Sequence, residues 1–141
     1  MDLKILEIAS HTENNKILEN FTHKSKNKNP LCGDVMEISL IVKNDIIKDM
    51  GYQCKSCVYC QASVSLLSRK IKDKKIEDIK TLVSNGDKLF DNVKVKLEKH
   101  WKDFKVILDK KNLARKECLL LPLRTISVSY THLTLPTILL V

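Results

Sequence analysis

Apolar and polar positions alternate with two different periods along the first part of the chain. The stretch LKILEIA, residues 3–9, has its apolar side chains at helical spacing, which predicts a short amphipathic helix. The stretch EISLIVK, residues 37–43, alternates apolar with polar side chains, which predicts a half-buried strand. Asn44-Asp45 then favours a tight turn, and residues 46–54 continue the alternation. We therefore expect a β-hairpin after the first helix.

After the hairpin, the apolar spacing changes to that of a helix. The small and apolar residues follow one another at steps of four, three and four: Cys60, Val64, Leu67 and Ile71. This spacing predicts a helix with Cys60 on its buried side and Cys57 at its N-terminal end.

Three further stretches complete the local predictions. Residues 76–83 have the spacing of a helix that we expect to end near Asn85-Gly86. Residues 89–104 predict another helix. Residues 22–29 are polar and are followed by Pro30, which indicates a loop.

Length and composition restrict the class of protein. The chain has 141 residues, of which 43% are hydrophobic, so it suits one domain with a modest core. It shows no signal-peptide core and no run of about 18 apolar residues. We therefore expect a cytoplasmic protein that has no membrane partner.

The net charge of +8 comes almost entirely from lysine. Aromatic residues make up only 5% of the chain and arginines number three, so the side chains that stack on bases and read their edges are scarce. Nucleic acid is therefore disfavoured as a partner. We interpret the charge as a solvated lysine-rich surface, although an acidic partner, protein or RNA, stays open.

The five cysteines direct attention to metal or thiol chemistry, because an odd number without a secretory signal does not suit a disulfide framework. Metals bind the thiolate form of cysteine, and a helix N-terminus or a nearby cation favours that form. Cys57 has both features, since it begins the predicted helix and Lys55 lies two residues before it.

The run GYQCKSCVYCQAS allows several kinds of thiol chemistry. Cys54 and Cys57 have the C-x-x-C spacing of zinc knuckles and of thiol oxidoreductases, but an oxidoreductase would need a βαβ context. Cys60 extends the run to the first part of a bacterial ferredoxin signature, which continues with x-x-x-C-P. Here the chain continues with QASV, so a ferredoxin-like electron carrier would need Cys32 or Cys118 as its last ligand.

Each of these thiols also has a purely structural interpretation, because free cysteine is among the most buried residue types. Cys60 shares the apolar side of its predicted helix and is expected in the core. Cys118 lies beside three leucines in LARKECLLLPLRTIS and, taken alone, would also be a core residue. Cys54 is intermediate between these cases.

A turn containing another thiol is predicted in NPLCGD, where Pro30 and Gly33 bracket Cys32 and Asp34 follows. The order of motifs runs from NPLCGDVMEISLIV through the hairpin to C-x-x-x-QAS and then RKECLLLP. In this order the chain resembles the IscU/NifU/SufU family of iron–sulfur cluster assembly scaffolds. The resemblance covers roughly residues 3–125.

The resemblance implies an α+β fold, in which a small antiparallel sheet of about three strands packs against several helices. It also implies that three cysteines and one aspartate from separate loops converge at one exposed end and bind metal. Carried over by position, these ligands are Cys32, Asp34, Cys57 and Cys118.

The chain departs from the family pattern at several positions. Ser56 replaces the usual glycine before Cys57, and Glu117 stands where the family often has histidine or a basic residue. Cys60 occupies a position that commonly holds serine or another small residue. Cys54 is an addition that could serve as an auxiliary thiol. The family's final helix is not recognisable from the sequence.

The implied function is to build a transient [2Fe–2S] cluster from iron and from sulfur that a cysteine desulfurase delivers, and to pass it to recipient apo-proteins. Such a protein is a carrier rather than an enzyme. The alternative is a SufU-like sulfurtransferase accessory to the desulfurase, in which the same ligands hold Zn²⁺. A ferredoxin-like electron carrier is a third interpretation. The sequence does not choose between iron and zinc, because both accept tetrahedral, sulfur-rich sites.

The domain is expected to end near residue 126. The sequence SYTHLTLPTILLV is uncharged and rich in β-branched residues, and it resembles a translated cloning artefact more than the end of this domain. We therefore divide the chain into a scaffold domain, residues 1–126, and a tail of doubtful origin, residues 127–141. The sequence leaves open whether the protein is a monomer or a homodimer.

Overall fold

A three-stranded antiparallel sheet lies at the centre of the computed structural model, which describes residues 3–29, 33–90 and 97–131. The strands lie side by side in chain order: β1 (His23–Lys28), β2 (Val35–Lys43) and β3 (Ile46–Lys55). The α-helices of the described residues are α1 (Leu3–Ala9), α2 (Val58–Lys70), α3 (Ile76–Phe90), α4 (Phe104–Ile107) and α5 (Lys116–Thr131). Two 3₁₀ segments are Lys99–Trp101 and Lys110–Arg115. This architecture confirms the expected α+β fold.

The predicted hairpin is confirmed as β2 and β3. Its turn consists of Asn44 and Asp45, which both have positive φ, at 54° and 62°. A tight hairpin turn requires this left-handed backbone, and Asn and Asp adopt it more readily than most residues. The pairing extends to Val35 opposite Lys55, so β2 begins and β3 ends at the same edge of the sheet.

The polar segment before Pro30 is strand β1, so the expected loop is wrong there. β1 pairs with β2 along its whole length, although its sequence HKSKNK contains no apolar residue. Its lysines are exposed at alternate positions, while Ser25 faces inward and donates a 2.8 Å hydrogen bond to the Thr125 carbonyl oxygen in α5. Backbone pairing, and not a hydrophobic pattern, forms this edge strand.

The hydrophobic core lies between the inner face of the sheet and the helices α2 and α5. β2 contributes three fully buried side chains, which are Met36, Ile38 and Leu40. The predicted stripe of α2 is also fully buried: Cys60, Val64, Leu67 and Ile71. The expected phase of this helix is therefore confirmed. No helix among the described residues is both long and apolar enough to cross a membrane.

The segment between α1 and β1 covers part of the outer face of the sheet. At the free edge of β3, the Tyr52 N–H donates to the Asn14 carbonyl oxygen at 3.1 Å. The segment then crosses the outer face, where the Leu18 N–H donates to the Ser39 hydroxyl at 3.2 Å. Gly51 permits this crossing, because a Cβ there would lie 2.3 Å from a backbone carbonyl oxygen of the segment.

The helix that was expected to end near Asn85-Gly86 continues as α3 to Phe90, so that prediction is wrong. Gly86 is buried, and a Cβ at its position would lie 3.1 Å from the Leu120 side chain and 3.2 Å from that of Leu123. Both leucines belong to α5. The glycine therefore allows α3 and α5 to approach closely and does not end the helix.

The prediction of one helix over residues 89–104 is also wrong in the described part of the chain. Residues 91–96 lie outside the described residues, and after them the chain forms a 3₁₀ segment and the short α4. A final helix, which is not recognisable from the sequence, is present as α5 and contains Pro122. α5 continues past the expected domain end at residue 126, and residues 132–141 lie outside the described part.

Candidate metal centre

Three of the four ligands expected from the resemblance lie together at one end of the sheet. A carboxylate oxygen of Asp34 and the Sγ atoms of Cys57 and Cys118 all lie within 4.8 Å of one another. Cys32, the fourth expected ligand, lies outside the described residues. The fold therefore brings together an acidic and two thiol side chains that are far apart in the sequence.

Asp34 is held at the start of β2 by the turn that precedes it. The Asn29 N–H donates to the Asp34 carbonyl oxygen and the Gly33 N–H donates to the Asn29 carbonyl oxygen, both at 2.8 Å. Gly33 has a φ of +76°, the left-handed backbone that glycine adopts without steric cost. These bonds fix Asn29, Gly33 and Asp34 relative to one another, and the Asp34 side chain is buried beside the centre.

Cys57 is the residue immediately before α2, as the sequence predicted. Its backbone is extended, with φ −71° and ψ 166°, and the helix begins at Val58. The Cys57 N–H points at the Asp34 carboxylate, which accepts it at 3.5 Å. The centre therefore lies at a helix N-terminus, where unpaired N–H groups and the helix dipole favour negative charge.

Cys118 lies in the first turn of α5 and is 6% exposed. Contacts on both sides of Cys118 join this part of the chain to α2. The Ser63 hydroxyl donates a 2.6 Å hydrogen bond to the Leu119 carbonyl oxygen. The Arg115 guanidinium lies over the Tyr59 ring, 5.4 Å from its centroid. These contacts fix the segments that carry the two thiols relative to each other.

The two remaining described thiols do not belong to the ligand group. Cys60 is fully buried, and this burial raises the pKa of its thiol far above the usual range. Cys54 lies on β3, opposite the buried Met36 of β2, and is half-buried. Burial raises the pKa of its thiol as well. The full burial of Cys60 confirms its expected core position. Because burial favours the neutral thiol, Cys54 is a poorer ligand than an exposed cysteine.

Glu117, which departs from the family pattern, does not join the centre. Its carboxylate forms an ion pair with Arg124 in the same helix. Arg124 and Lys116 also lie near the Asp87 carboxylate of α3, at 3.7 and 3.6 Å. The acidic side chain before Cys118 is therefore part of a surface charge network between α3 and α5.

Sequence reasoning missed the contacts that support the centre. Ser63 was noted only as part of the QAS motif, and neither Tyr59 nor Arg115 was singled out. Arg115 precedes Cys118 by three residues and Tyr59 follows Cys57 by two. Their closeness to the two cysteines was a signal, but the pairing between them depends on the packing of α2 against α5.

The donor set defines the kind of site. Two soft thiol sulfurs and one hard carboxylate oxygen suit a tetrahedral ion such as Zn²⁺ or the irons of an iron–sulfur cluster. Calcium and magnesium prefer oxygen ligands and do not suit it. The fold and the site together define a small α+β protein with a sulfur-rich group of side chains that could hold a metal at one end of its sheet.

Comparison with known proteins assigns this class to a family. Residues 2–103 match the family described as the NifU-like N terminal domain, and the chain belongs to that family. The iron-sulfur cluster assembly scaffold protein IscU of Thermotoga maritima is 28% identical over 138 residues, which cover 94% of this chain and 93% of that protein.

Two further proteins are similar to this chain. The zinc-dependent sulfurtransferase SufU of Bacillus subtilis is 35% identical over 49 residues, which cover 35% of this chain and 33% of that protein. The crystal structure of a nitrogen-fixing NifU-like protein (N-terminal) from Brucella abortus has a TM-score of 0.86 and 19% identity. That match covers 94% of this chain and 92% of the Brucella chain, and it establishes the fold.

Proposed function

We propose that this protein is a scaffold that assembles a [2Fe–2S] cluster and transfers it to recipient apo-proteins. The observation that carries the proposal is the convergence of Asp34, Cys57 and Cys118 within 4.8 Å in a chain of the NifU-like family. The similarity to the IscU scaffold of Thermotoga maritima along nearly the whole chain supports the same function.

Cys32 is proposed as the fourth ligand. It lies two residues before Asp34, and two residues of extended chain span at most about 7 Å. The described residues on either side of it, Asn29 and Gly33, are held close to Asp34 by hydrogen bonds. Three thiolates and one carboxylate would then give each of two irons two protein ligands, and two bridging sulfides would complete both tetrahedra.

The carboxylate is the feature that suits a carrier. A hard oxygen ligand competes less well for iron than a thiolate, so the iron bound by Asp34 is the easier one to release to the cysteines of a recipient. Sulfur for the cluster would come from a cysteine desulfurase. The cluster is the cargo of this protein, which acts as a carrier and not as an enzyme.

A second candidate is a zinc-bound sulfurtransferase accessory to a cysteine desulfurase. The similarity to the SufU of Bacillus subtilis favours it, since that protein is named as a zinc-dependent sulfurtransferase. The donor set of the centre fits zinc as well as iron. In this case the same ligands hold Zn²⁺, and one of the thiolates accepts sulfur from the desulfurase.

Metal and sulfide analysis of the protein purified without oxygen separates the two functions. After incubation with ferric iron and sulfide, the scaffold should contain iron and sulfide in equal amounts and show visible sulfur-to-iron charge-transfer bands. Stoichiometric zinc, with no coloured species after reconstitution, would favour the sulfurtransferase and overturn the scaffold.

A further inference from the structure

We propose that the uncovered part of the outer sheet face is a docking groove for an extended acidic segment of a partner protein. The groove has a volume of about 480 Å³. It is lined by Asn15 of the covering segment and by residues of all three strands, which are Lys26, Val35, Glu37, Gln53, Cys54 and Lys55. None of these side chains belongs to the metal centre, so the proposal does not depend on which metal or cluster the centre binds.

This face carries a net positive charge, since Glu37 is the one acidic side chain among the described residues that line the groove. Lys24 pairs with Glu37 at 3.1 Å. In the described part of the chain, no such ion pair forms at three other exposed lysines, which are Lys26, Lys28 and Lys55. A surface with three unpaired ammonium groups attracts an acidic partner and repels a basic one.

The spacing of the lysines matches an extended peptide. Lys26 and Lys28 are alternate residues of β1, so their side chains leave the same face about 6.8 Å apart. Lys28 of β1 and Lys55 of β3 lie on either side of Val35 in β2. The two lysine backbones are therefore two strand spacings apart, about 10 Å. Acidic side chains at alternate positions of an extended segment have the same repeat as Lys26 and Lys28.

The groove ends at the metal centre. Val35 on its floor directly follows Asp34, and Lys55 on its wall lies two residues before Cys57. A segment bound along the groove would therefore place the rest of its protein beside the centre. Docking would serve to orient the partner toward the ligands.

A peptide suits the groove better than a nucleic acid does. Among the described residues that line it, none is aromatic and none is arginine, so bases have no surface on which to stack. The exposed ring of Phe21 on the neighbouring surface lies 5.4 Å from the Lys24 ammonium, which covers it. The amides of Asn15 and Gln53 and the apolar Val35 suit a peptide backbone and its inward side chains.

Titration of the isotope-labelled full chain with the peptide Glu-Val-Glu-Thr-Glu-Val-Glu tests the proposal by NMR. The expected result is saturable shifts of the backbone amides of Lys26, Val35, Gln53 and Lys55. The triple variant Lys26→Glu, Lys28→Glu, Lys55→Glu should weaken binding by about tenfold or more, since each exposed ion pair contributes about a twofold to fivefold effect. The same three lysines changed to arginine should retain binding.

A matched variant separates the groove from the general basic charge. Lys102, Lys105 and Lys110 are equally exposed and lie outside the groove, so changing them to glutamate gives the same net charge. This variant should bind within about twofold of the wild type. If both triple variants lose the peptide equally, or if shifts are absent at the groove, the proposal is overturned.

Two further measurements complete the test. Single-stranded RNA of equal charge should bind more weakly than the peptide, and tighter binding of RNA through the same lysines would overturn the proposal. If the triple glutamate variant does not fold, the lysine-to-glutamine variant gives the comparison. The titration uses the chain without metal, so its result does not depend on the proposed scaffold function.

Discussion

The hydroxyl of Ser63, within α2, donates a 2.6 Å hydrogen bond to the carbonyl oxygen of Leu119, within α5. Ser63 is fully buried, and Leu119 directly follows Cys118. The bond therefore joins the helix that begins after Cys57 to the helix that carries Cys118. This contact gives the serine of the QAS motif a physical role, which is to hold together the two elements that carry the candidate ligands.

Replacing Ser63 with alanine should destabilise the protein by about 1–3 kcal/mol, because the buried Leu119 carbonyl loses this donor. Ser84→Ala is the matched control, since the Ser84 hydroxyl is exposed and bonds only within its own helix turn, to the Thr81 carbonyl oxygen. It should change the free energy of unfolding by less than about 0.5 kcal/mol. Urea unfolding of both variants measures the difference, and equal effects would show that the interhelix bond is unimportant.

Cys57 and Cys60 should respond differently to the same substitution. Cys57→Ser should abolish metal binding while the fold survives, because it removes a thiol of the centre and leaves the core intact. Cys60→Ser should retain the metal and lower the free energy of unfolding by about 1–3 kcal/mol, because it places a more polar hydroxyl at a fully buried position. Metal content and thermal melting check both, and the reverse pattern would show that the ligand is misassigned.

Asp34→Ala should still take up a cluster on the three cysteines but pass it on more slowly. Asp34→Asn is the informative comparison, because an amide oxygen can still accept from the Cys57 N–H while it binds iron poorly. Both variants should slow transfer to an apo-ferredoxin, followed by circular dichroism, and only alanine should also lower the melting temperature. Unchanged transfer in both variants would restrict Asp34 to a structural role.

The buried thiol of Cys60 should make the protein less stable in alkali. Burial raises its pKa in the folded state, while the unfolded thiol ionises near its ordinary value of 9.0. Above that pH the unfolded chain binds fewer protons than the folded one, so stability is complete below about pH 9 and falls as the pH rises.

Cys60→Ala tests this dependence. It should be less stable than the wild type at neutral pH, because it leaves a small cavity. Above pH 9 the difference in free energy of unfolding between the wild type and the variant should narrow by about 1 kcal/mol per pH unit, since the variant has no thiol to ionise at this position. Tyr52 and Cys54 have pKa values raised by burial in both proteins, so they cancel in the comparison. If the free energies of unfolding of the two proteins differ by the same amount at pH 7 and pH 10, the pKa of the Cys60 thiol is not raised in the folded state.

The elements that form through local interactions could be predicted from the sequence. The turn at Asn44 and Asp45 and the stripe of α2 depend on residues within a few positions of one another. Cys57 was placed at the start of α2 for the same reason. Periodicity records such interactions directly, because the side chains of one element must share one buried face.

Edge strand β1 and the close packing of α3 on α5 could not be predicted in this way. The lysines of β1 give no local signal of a strand, because the strand forms by pairing with β2. Gly86 gives no local signal of its packing role, because it contacts Leu120 in a distant part of the chain. α5 was missed for a related reason. Pro122 and a dense run of leucines conceal its helical period, and the helix is stabilised by packing against α2 and the sheet.

The sequence by itself determined which residue types were available for a metal centre, and the family resemblance indicated which of them to choose. Only the tertiary structure decided that Asp34, Cys57 and Cys118 lie within 4.8 Å of one another while Cys60 points into the core. The physical reason is that these ligands belong to three elements with no local contact. Their distances are set by how α2 and α5 pack on the sheet, and a one-dimensional pattern does not record that packing.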